Sequence, residues 1–222
     1  MEEHLLTLIN RDWTSPALDA FMAAMSSLHF WIVPILLTVL AAAIRGRFRA
    51  RAMLLVLALT LLVSDGIVGD GLKHLIKRPR PNEVVGGVRI VALNLHHAIQ
   101  RLPSLFGAAP GRERWVVIHP SRPDPDTAGG RSFPSDHTLN NVCAAMVLTY
   151  FYRRFGWLFF IPAAVVAYSR VYVGSHWPSD VAISCIMGIG MSLLLLAGYE
   201  ALWQKIGPRW LPRLYKAHPT LA

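Results

Sequence analysis

Three short stretches of the chain carry residues suited to phosphoryl chemistry. They are 73–81 (KHLIKRPRP), 134–137 (PSDH) and 169–180 (SRVYVGSHWPSD). Lys73, Arg80 and Arg170 are cations that can hold phosphoryl oxygens, and histidine takes up and releases protons near neutral pH. If the three stretches converge, they form a phosphohydrolase site that uses no metal.

The third stretch gives the sharpest signal. Ser169 and Arg170 end one apolar segment, and six residues later His176 precedes Pro178 and Asp180, which open the next. The four-residue spacing allows Asp180 to hydrogen-bond His176 and fix its tautomer, which would leave the other ring nitrogen free to attack. The ordinary alternative is a snorkelling arginine and an aspartate that stabilises a helix dipole.

The other two stretches are less specific when each is taken alone. Lys73 and Arg80 are seven residues apart, about two helical turns, which predicts that both lie on one face of a helix that Pro81 ends. A basic collar at the membrane interface is the alternative. Ser135 precedes an apolar helix, so its hydroxyl is expected to cap a helix N-terminus that can bind anions. His137 would lie in the first turn, or be an ordinary interfacial histidine.

The composition places this chemistry in a membrane. The chain has 222 residues, of which 54% are hydrophobic and 16% charged, and this balance is typical of polytopic membrane proteins. Lys and Arg outnumber Asp and Glu by 22 to 13. These basic residues are divided between short loops and the three stretches, which favours membrane topology and phosphate binding over nucleic acid. Cys143 and Cys185 lie in apolar runs and are expected to be packing residues.

Hydrophobic runs predict an all-α bundle in a single domain. An interfacial region at 1–27, without the features of a signal peptide, precedes about five spans, at 28–44, 51–71, 138–152, 157–173 and 178–203. Spans one and two occupy the segment 28–77, and spans three to five occupy 134–203. Residues 78–133 are predicted to form a long extracytoplasmic loop that caps the site. Residues 204–222 form a basic tail.

Basic residues near the span ends predict the orientation. They fall in two turns and the tail: Arg45, Arg47, Arg49, Arg51, Arg153, Arg154, Lys205, Arg209, Arg213 and Lys216. By the positive-inside rule all three segments are cytoplasmic, although the long loop also holds arginines. The three chemical stretches then face the periplasm or the exterior of a bacterial plasma (inner) membrane.

Taken together, the three stretches resemble the signature of the type 2 phosphatidic acid phosphatase (PAP2) superfamily, which reads K-x6-RP, PSGH and SR-x5-H-x3-D. The first and third parts fit without a gap. The second departs, because Asp136 stands where the family has Gly. The resemblance covers roughly residues 51–203.

The resemblance implies a mechanism without metal or cofactor. His176 would attack phosphorus to give a phosphohistidine, Asp180 would stabilise the imidazolium, and His137 would protonate the leaving oxygen and then activate water. The phosphoryl oxygens would be held by Lys73, Arg80, Ser135, the backbone NH of Asp136 and Arg170. The carboxylate of Asp136 would repel phosphate unless Lys73, Arg80 or another cation pairs with it. His96 and His97 are expected to be exposed loop residues.

The expected substrate is a membrane lipid phosphate. Undecaprenyl diphosphate, converted to the monophosphate, is preferred by analogy with short bacterial members of the family. Phosphatidylglycerol phosphate, phosphatidic acid and lipid A phosphates are alternatives. A catalytically weak protein that binds or transfers phospholipid is an alternative of another class. A vanadate-dependent halide oxidase is disfavoured because those relatives are soluble. The sequence predicts no oligomeric state.

Overall fold

The computed structural model describes residues 1–93, 116–123 and 129–222. Its helices and strands, in chain order, are α1 (Glu2–Thr7), α2 (Pro16–Ser26), α3 (Leu28–Arg45), α4 (Phe48–Leu62), α5 (Asp70–Ile76), α6 (Pro81–Val84), β1 (Arg89–Leu93), β2 (Val116–Pro120), α7 (Asp136–Phe151), α8 (Phe160–Tyr172), α9 (Pro178–Trp210) and α10 (Pro212–Ala217). π-Helical turns at Leu8–Asp12 and Val63–Gly69 follow α1 and α4. His96, His97 and much of the predicted cap loop lie outside the described residues.

Helices long and apolar enough to cross a membrane account for three of the predicted spans. They are α3, the segment Phe48–Val84 that contains α4, α5 and α6, and α9. The predicted third span corresponds to α7, which has 16 residues, and the fourth to the shorter apolar run Gly156–Tyr172. Helix α3 buries none of its side chains. An apolar helix exposed on all sides is suited to contact with lipid.

Helix α7 forms the centre of the bundle and packs against α4, α8 and α9. Near its C-terminal end, Val147 and Phe151 are fully buried against Met53, Val56 and Leu196. This packing fixes the position of α7, and with it the side chains at the opposite end of the helix, where the second chemical stretch begins.

The basic segments that the sequence assigns to the cytoplasm lie together at one end of the molecule. The guanidinium carbon of Arg49 is 5.4 Å from the centre of the Tyr152 ring, which joins the two basic turns. Phe48 stacks on His218 of the tail at 4.1 Å. Because Tyr152 follows the C-terminus of α7 and Asp136 begins it, the chemical stretches lie at the other end.

The prediction that Lys73 and Arg80 share one helix face is wrong. Helix α5 ends at Ile76, and Lys77 has a left-handed backbone with φ 50°. Arg80 is extended and precedes α6, which begins at Pro81. The alternation of Arg and Pro at 78–81 explains the difference, because a residue before proline avoids the helical conformation and proline has no NH to donate.

The described part of the long loop contains a two-stranded antiparallel sheet, which the all-α prediction did not include. Strand β1 pairs with β2 so that Val91 lies opposite Ile118. Val91 is buried with Met22 of α2 and Tyr172 of α8. Arg89 forms a salt bridge of 2.7 Å to Asp19. The sheet is therefore held against the helices on the side of the chemical stretches.

The chain that follows α8 passes very close to this sheet. Gly174 has φ 74°, and a Cβ atom there would lie 2.5 Å from Val88 and 2.9 Å from the carbonyl oxygen of Arg89. Only glycine suits this backbone and this approach. The contact positions the turn that carries His176.

Candidate active site

The structure brings the three chemical stretches together at one end of the bundle. His137 lies in the first turn of α7, and His176 lies in the turn between α8 and α9. The positive charges of Arg170 and Arg80 are close enough to act on both imidazoles, and His137 in turn acts on His176. The two histidines and the two arginines thus share one electrostatic environment.

The orientation of His176 is fixed by the backbone of Ser132. The His176 side chain is buried, and its Nδ1 lies 2.6 Å from the carbonyl oxygen of Ser132. A carbonyl oxygen can only accept a hydrogen bond, so Nδ1 carries the proton. The lone pair of Nε2 is then available for attack, which is the tautomer that a nucleophilic histidine needs.

The sequence assigned this orienting contact to Asp180, and the structure gives Asp180 other partners. Its Oδ2 accepts hydrogen bonds from the Ser132 hydroxyl and, at 3.1 Å, from the Trp177 amide. Its Oδ1 lies 2.6 Å from Nη1 of Arg78. The reason is local, because a residue at the third position of α9 caps the helix start more readily than it reaches back four residues. Within the part of the chain that the structure describes, Ser132 is the residue that links Asp180 to His176.

Burial lowers the pKa of His176 well below its usual value, and the charge of Arg170 lowers it further. The hydrogen bond to the Ser132 carbonyl opposes this change but is outweighed. The imidazole of His176 is therefore neutral, and nucleophilic, at neutral pH.

Arg170 retains hydrogen-bonding capacity for an anion. Its Nη1 donates to the hydroxyl and, at 3.4 Å, to the carbonyl oxygen of Ser26. Its buried Nε has no hydrogen-bond partner among the residues that the structure describes. A buried donor without a partner is costly, and a phosphoryl oxygen would satisfy it.

Lys73 and Asp136 form an ion pair inside the site. Lys73 also lies 4.0 Å from Asp70, one turn earlier in α5. Lys73 is one of the cations that the sequence suggested as a partner for the Asp136 carboxylate. The pairing means that Lys73 is occupied by a protein anion in this state, while Arg80 and Arg170 remain to bind a phosphoryl group.

The Ser135 hydroxyl does not cap α7 as the sequence predicted. It accepts a hydrogen bond of 3.0 Å from the Thr138 hydroxyl, and the Ser135 amide donates to Ser184 at 2.9 Å. The contact with Ser184 holds the start of α7 against α9, whereas the contact with Thr138 lies within the start of α7 itself. Ser135 is fully buried, and its role in holding phosphate stays a prediction.

Sequence reasoning missed Ser132 and Arg78 as members of this network. In the sequence Arg78 is one of several basic residues near the end of α5, and no feature distinguishes it from an arginine that anchors the chain at the membrane interface. Ser132 stands outside all three stretches, and its role depends on a carbonyl oxygen, which every residue has. No sequence signal pointed to it.

Two cavities adjoin the site and meet at Ser27. An apolar cavity of about 220 Å³ has His137 in its wall, with side chains that include Met25, Trp31 and Val166. A more polar cavity of about 280 Å³ has Arg170 in its wall. A molecule with a charged head and an apolar body could occupy such a pair of spaces.

The fold and the site define a class of protein: a helical membrane protein with a pair of histidines and a cluster of cations at one end of its bundle. The chain belongs to the PAP2 superfamily, whose model matches residues 49–204.

Similar proteins include phosphatases that act on different lipids. Undecaprenyl-diphosphatase BcrC of Bacillus subtilis is 34% identical over 67 residues, which cover 30% of this chain and 35% of that protein. A lipid A 4'-phosphatase of Bacteroides thetaiotaomicron is 26% identical over 178 residues, covering 78% of this chain and 66% of that protein. The chain spans less than half the length of the BcrC proteins that it matches.

A solved structure has the same fold. The crystal structure of Aquifex aeolicus LpxE matches with a TM-score of 0.53 and 21% identity, and the match covers 88% of this chain and 94% of that one.

Proposed function

We propose that the protein is a membrane lipid phosphatase that works through a phosphohistidine and requires no metal. The observation that carries this proposal is the hydrogen bond from His176 Nδ1 to the Ser132 carbonyl, because it leaves Nε2 free beside Arg170 and Arg80. Membership of the PAP2 superfamily supports the same reaction.

The reaction has two steps. Nε2 of His176 attacks phosphorus and the bond from phosphorus to the leaving oxygen breaks, while His137 gives that oxygen a proton. Water then attacks phosphorus, His137 takes its proton, and the bond from phosphorus to Nε2 breaks to release phosphate. Arg80, Arg170 and the first amides of α7 stabilise the charge on the equatorial oxygens in both steps.

The apolar cavity supports a lipid as the leaving group. His137 both lines this cavity and serves the leaving oxygen in the proposed reaction, so the part of the substrate that departs lies on the apolar side. We infer that an isoprenoid or acyl chain occupies this cavity while the phosphate lies between Arg80 and Arg170. Undecaprenyl diphosphate, hydrolysed to undecaprenyl phosphate, is the first choice because relatives named for it are among those that match.

Relatives named for lipid A make a lipid A phosphate the main alternative. Phosphatidylglycerol phosphate and phosphatidic acid come next. The site would open on the periplasmic or exterior face of a bacterial plasma membrane, opposite the end that gathers Arg49, Tyr152 and His218.

Phosphate release from detergent-solubilised protein tests the proposal. The substrates would be undecaprenyl diphosphate, a lipid A phosphate, phosphatidylglycerol phosphate and phosphatidic acid, presented at equal surface concentration. We expect release by the wild type and none by His176→Ala. With a substrate labelled in the transferred phosphoryl group, the wild type quenched during turnover is expected to carry label on the protein and His176→Ala to carry none.

One observation favours a second candidate, a protein that binds or transfers phospholipid with little catalysis. The pairing of Lys73 with Asp136 occupies a cation that the family signature assigns to phosphate. Equal phosphate release by the wild type and His176→Ala, together with saturable binding of a lipid phosphate, would support this candidate. The same result would contradict the proposed phosphatase activity.

A further inference from the structure

Arg78 lies between the N-terminal helix and the buried Asp180. Its Nη1 donates to Asp180 at 2.6 Å and to the Ser179 hydroxyl at 2.8 Å, and its Nη2 donates to Glu2 at 2.7 Å. The guanidinium also lies over the Trp177 ring, 5.4 Å from the ring centre. Both terminal nitrogens of the guanidinium are thus held by protein groups, which is not the pattern of an arginine that reaches toward lipid headgroups.

Two paths lead from Arg78 to Ser132. The Ser132 amide donates to the carbonyl oxygen of Arg78 at 2.8 Å, and the Ser132 hydroxyl donates to Asp180, which Arg78 also binds. The third polar group of Ser132, its carbonyl oxygen, accepts from His176. Ser132 is fully buried, and these contacts tie its amide, its hydroxyl and its carbonyl oxygen to Arg78, Asp180 and His176 respectively.

We propose that Arg78 is a positioning residue, which holds the imidazole of His176 in its attacking orientation through Asp180 and Ser132. This inference rests on the proposed function. Arg78 does not touch the phosphate. It neutralises the fully buried carboxylate of Asp180. That carboxylate fixes the hydroxyl of Ser132, and the backbone carbonyl of the same residue selects the His176 tautomer.

The charge of Asp180 explains why Arg78 is required. The side chain of Asp180 is 0% exposed, whereas that of Arg78 is 29% exposed. Without the arginine, the donors left to this buried carboxylate among the described residues are the neutral ones of Ser132 and Trp177. A buried charge that loses its partner moves, takes up a proton or draws in water. Each of these changes the hydrogen bond that Ser132 makes to Asp180.

The test compares Arg78→Gln and Arg78→Lys with the wild type and with a matched control. The control is Arg154→Gln, because Arg154 also lies over an aromatic ring, that of Phe155 at 5.1 Å, but at the opposite end of the bundle. Phosphate release is measured against lipid concentration, on fractions that elute as a single species.

We expect Arg78→Gln to lower kcat roughly tenfold or more, as loss of a residue that orients a catalytic histidine does, with KM changed less than twofold. Lysine restores the charge but not the paired geometry, so Arg78→Lys should recover part of kcat. Arg154→Gln should match the wild type. If Arg78→Gln does not yield folded protein, Arg78→Lys decides: a lowered kcat supports the role, and a wild-type kcat overturns it.

A double-mutant cycle separates positioning from independent roles. If Arg78 acts through Asp180, then Arg78→Gln combined with Asp180→Asn should be no slower than the slower single variant. The inference would be overturned if the double variant lost kcat by the product of the two single losses. A wild-type kcat in Arg78→Gln, or a rise in its KM alone, would also overturn it. Failure of the proposed function looks different, because the wild type itself would then release no more phosphate than His176→Ala.

Discussion

Lys73 of α5 and Asp136, the first residue of α7, form an ion pair within the candidate active site. The PAP2 signature that the sequence resembles has Gly at this position, so the carboxylate of Asp136 is a departure from that signature. It has two consequences for the site. A cation expected to bind phosphate is neutralised, and an extra negative charge lies near the place that the substrate's own negative charge must enter.

Replacing Asp136 with glycine is therefore expected to retain or raise phosphatase turnover. Removal of the carboxylate frees Lys73 and ends the repulsion of a phosphate dianion, so KM should fall by a few-fold at low ionic strength. Asp136→Asn is the matched control, because it removes the charge and keeps the side-chain volume. Complete loss of phosphate release in both variants would show instead that the carboxylate has a catalytic role of its own.

The space for Asp136 depends on Gly69. A Cβ atom at Gly69 would lie 3.0 Å from Oδ1 of Asp136 and 3.2 Å from the carbonyl oxygen of Ser64, whereas a Cβ at Gly71 would meet nothing within 4 Å. Gly69→Ala is expected to destabilise the protein by about 1 kcal/mol through overpacking. Gly71→Ala should be neutral or slightly stabilising, because alanine favours a helix more than glycine does.

Thermal unfolding in detergent measures these changes. The same Gly69→Ala substitution in an Asp136→Gly background is expected to cost less, since the side chain that it meets is gone. An equal cost in both backgrounds would assign the strain to Ser64 and not to Asp136.

Particular residues show which parts of the site the sequence could predict. The residue types of Lys73, Arg80, His137, Arg170 and His176 sufficed to find the three stretches, and hydrophobic runs sufficed to place the longest helices. The structure brings these stretches together at the end of the bundle opposite the basic turns, as charge asymmetry indicated.

The local contacts could not be predicted, for physical reasons. Ser132 binds His176 across 44 positions through its backbone, and sequence patterns carry no information about a carbonyl oxygen. The four-residue spacing of His176 and Asp180 allowed a contact, but the helix start competed for the same carboxylate. The prolines around Arg80 contained enough information to end α5 earlier than the seven-residue spacing suggested.

The Ser132 hydroxyl offers a way to separate its side chain from its carbonyl. Ser132→Ala keeps the carbonyl oxygen that binds His176 but removes the donor to Asp180. We expect kcat to fall several-fold, less than in His176→Ala, with KM little changed. Activity equal to the wild type would mean that the backbone alone holds the carbonyl in place.

The stability of the folded protein should depend on pH through His176. Burial lowers the pKa of this histidine well below its usual value, so between that pKa and about 6.5 the unfolded chain binds a proton that the folded chain does not. Stability therefore rises with pH across this window and falls as the pH drops below about 6.5, by up to about 1.4 kcal/mol per pH unit. Unfolding midpoints from pH 5 to 8 should show a steeper acid loss in the wild type than in His176→Gln. Parallel curves would contradict a buried neutral imidazole.

Val166 provides a test of the lipid cavity. Its side chain lines the apolar space beside His137, whereas Ile161, on the same helix α8, is 56% exposed on the outside of the bundle. Val166→Phe should fill part of the cavity and exclude two or more methylene groups of a lipid chain, each worth roughly 0.8 kcal/mol. KM for a long-chain lipid phosphate is then expected to rise about tenfold, while hydrolysis of a short, water-soluble phosphate ester stays the same. Ile161→Phe, which adds the same ring outside the cavity, should leave both substrates unaffected. If Val166→Phe slowed both substrates equally, the cavity would serve the packing around His137 and not the lipid chain.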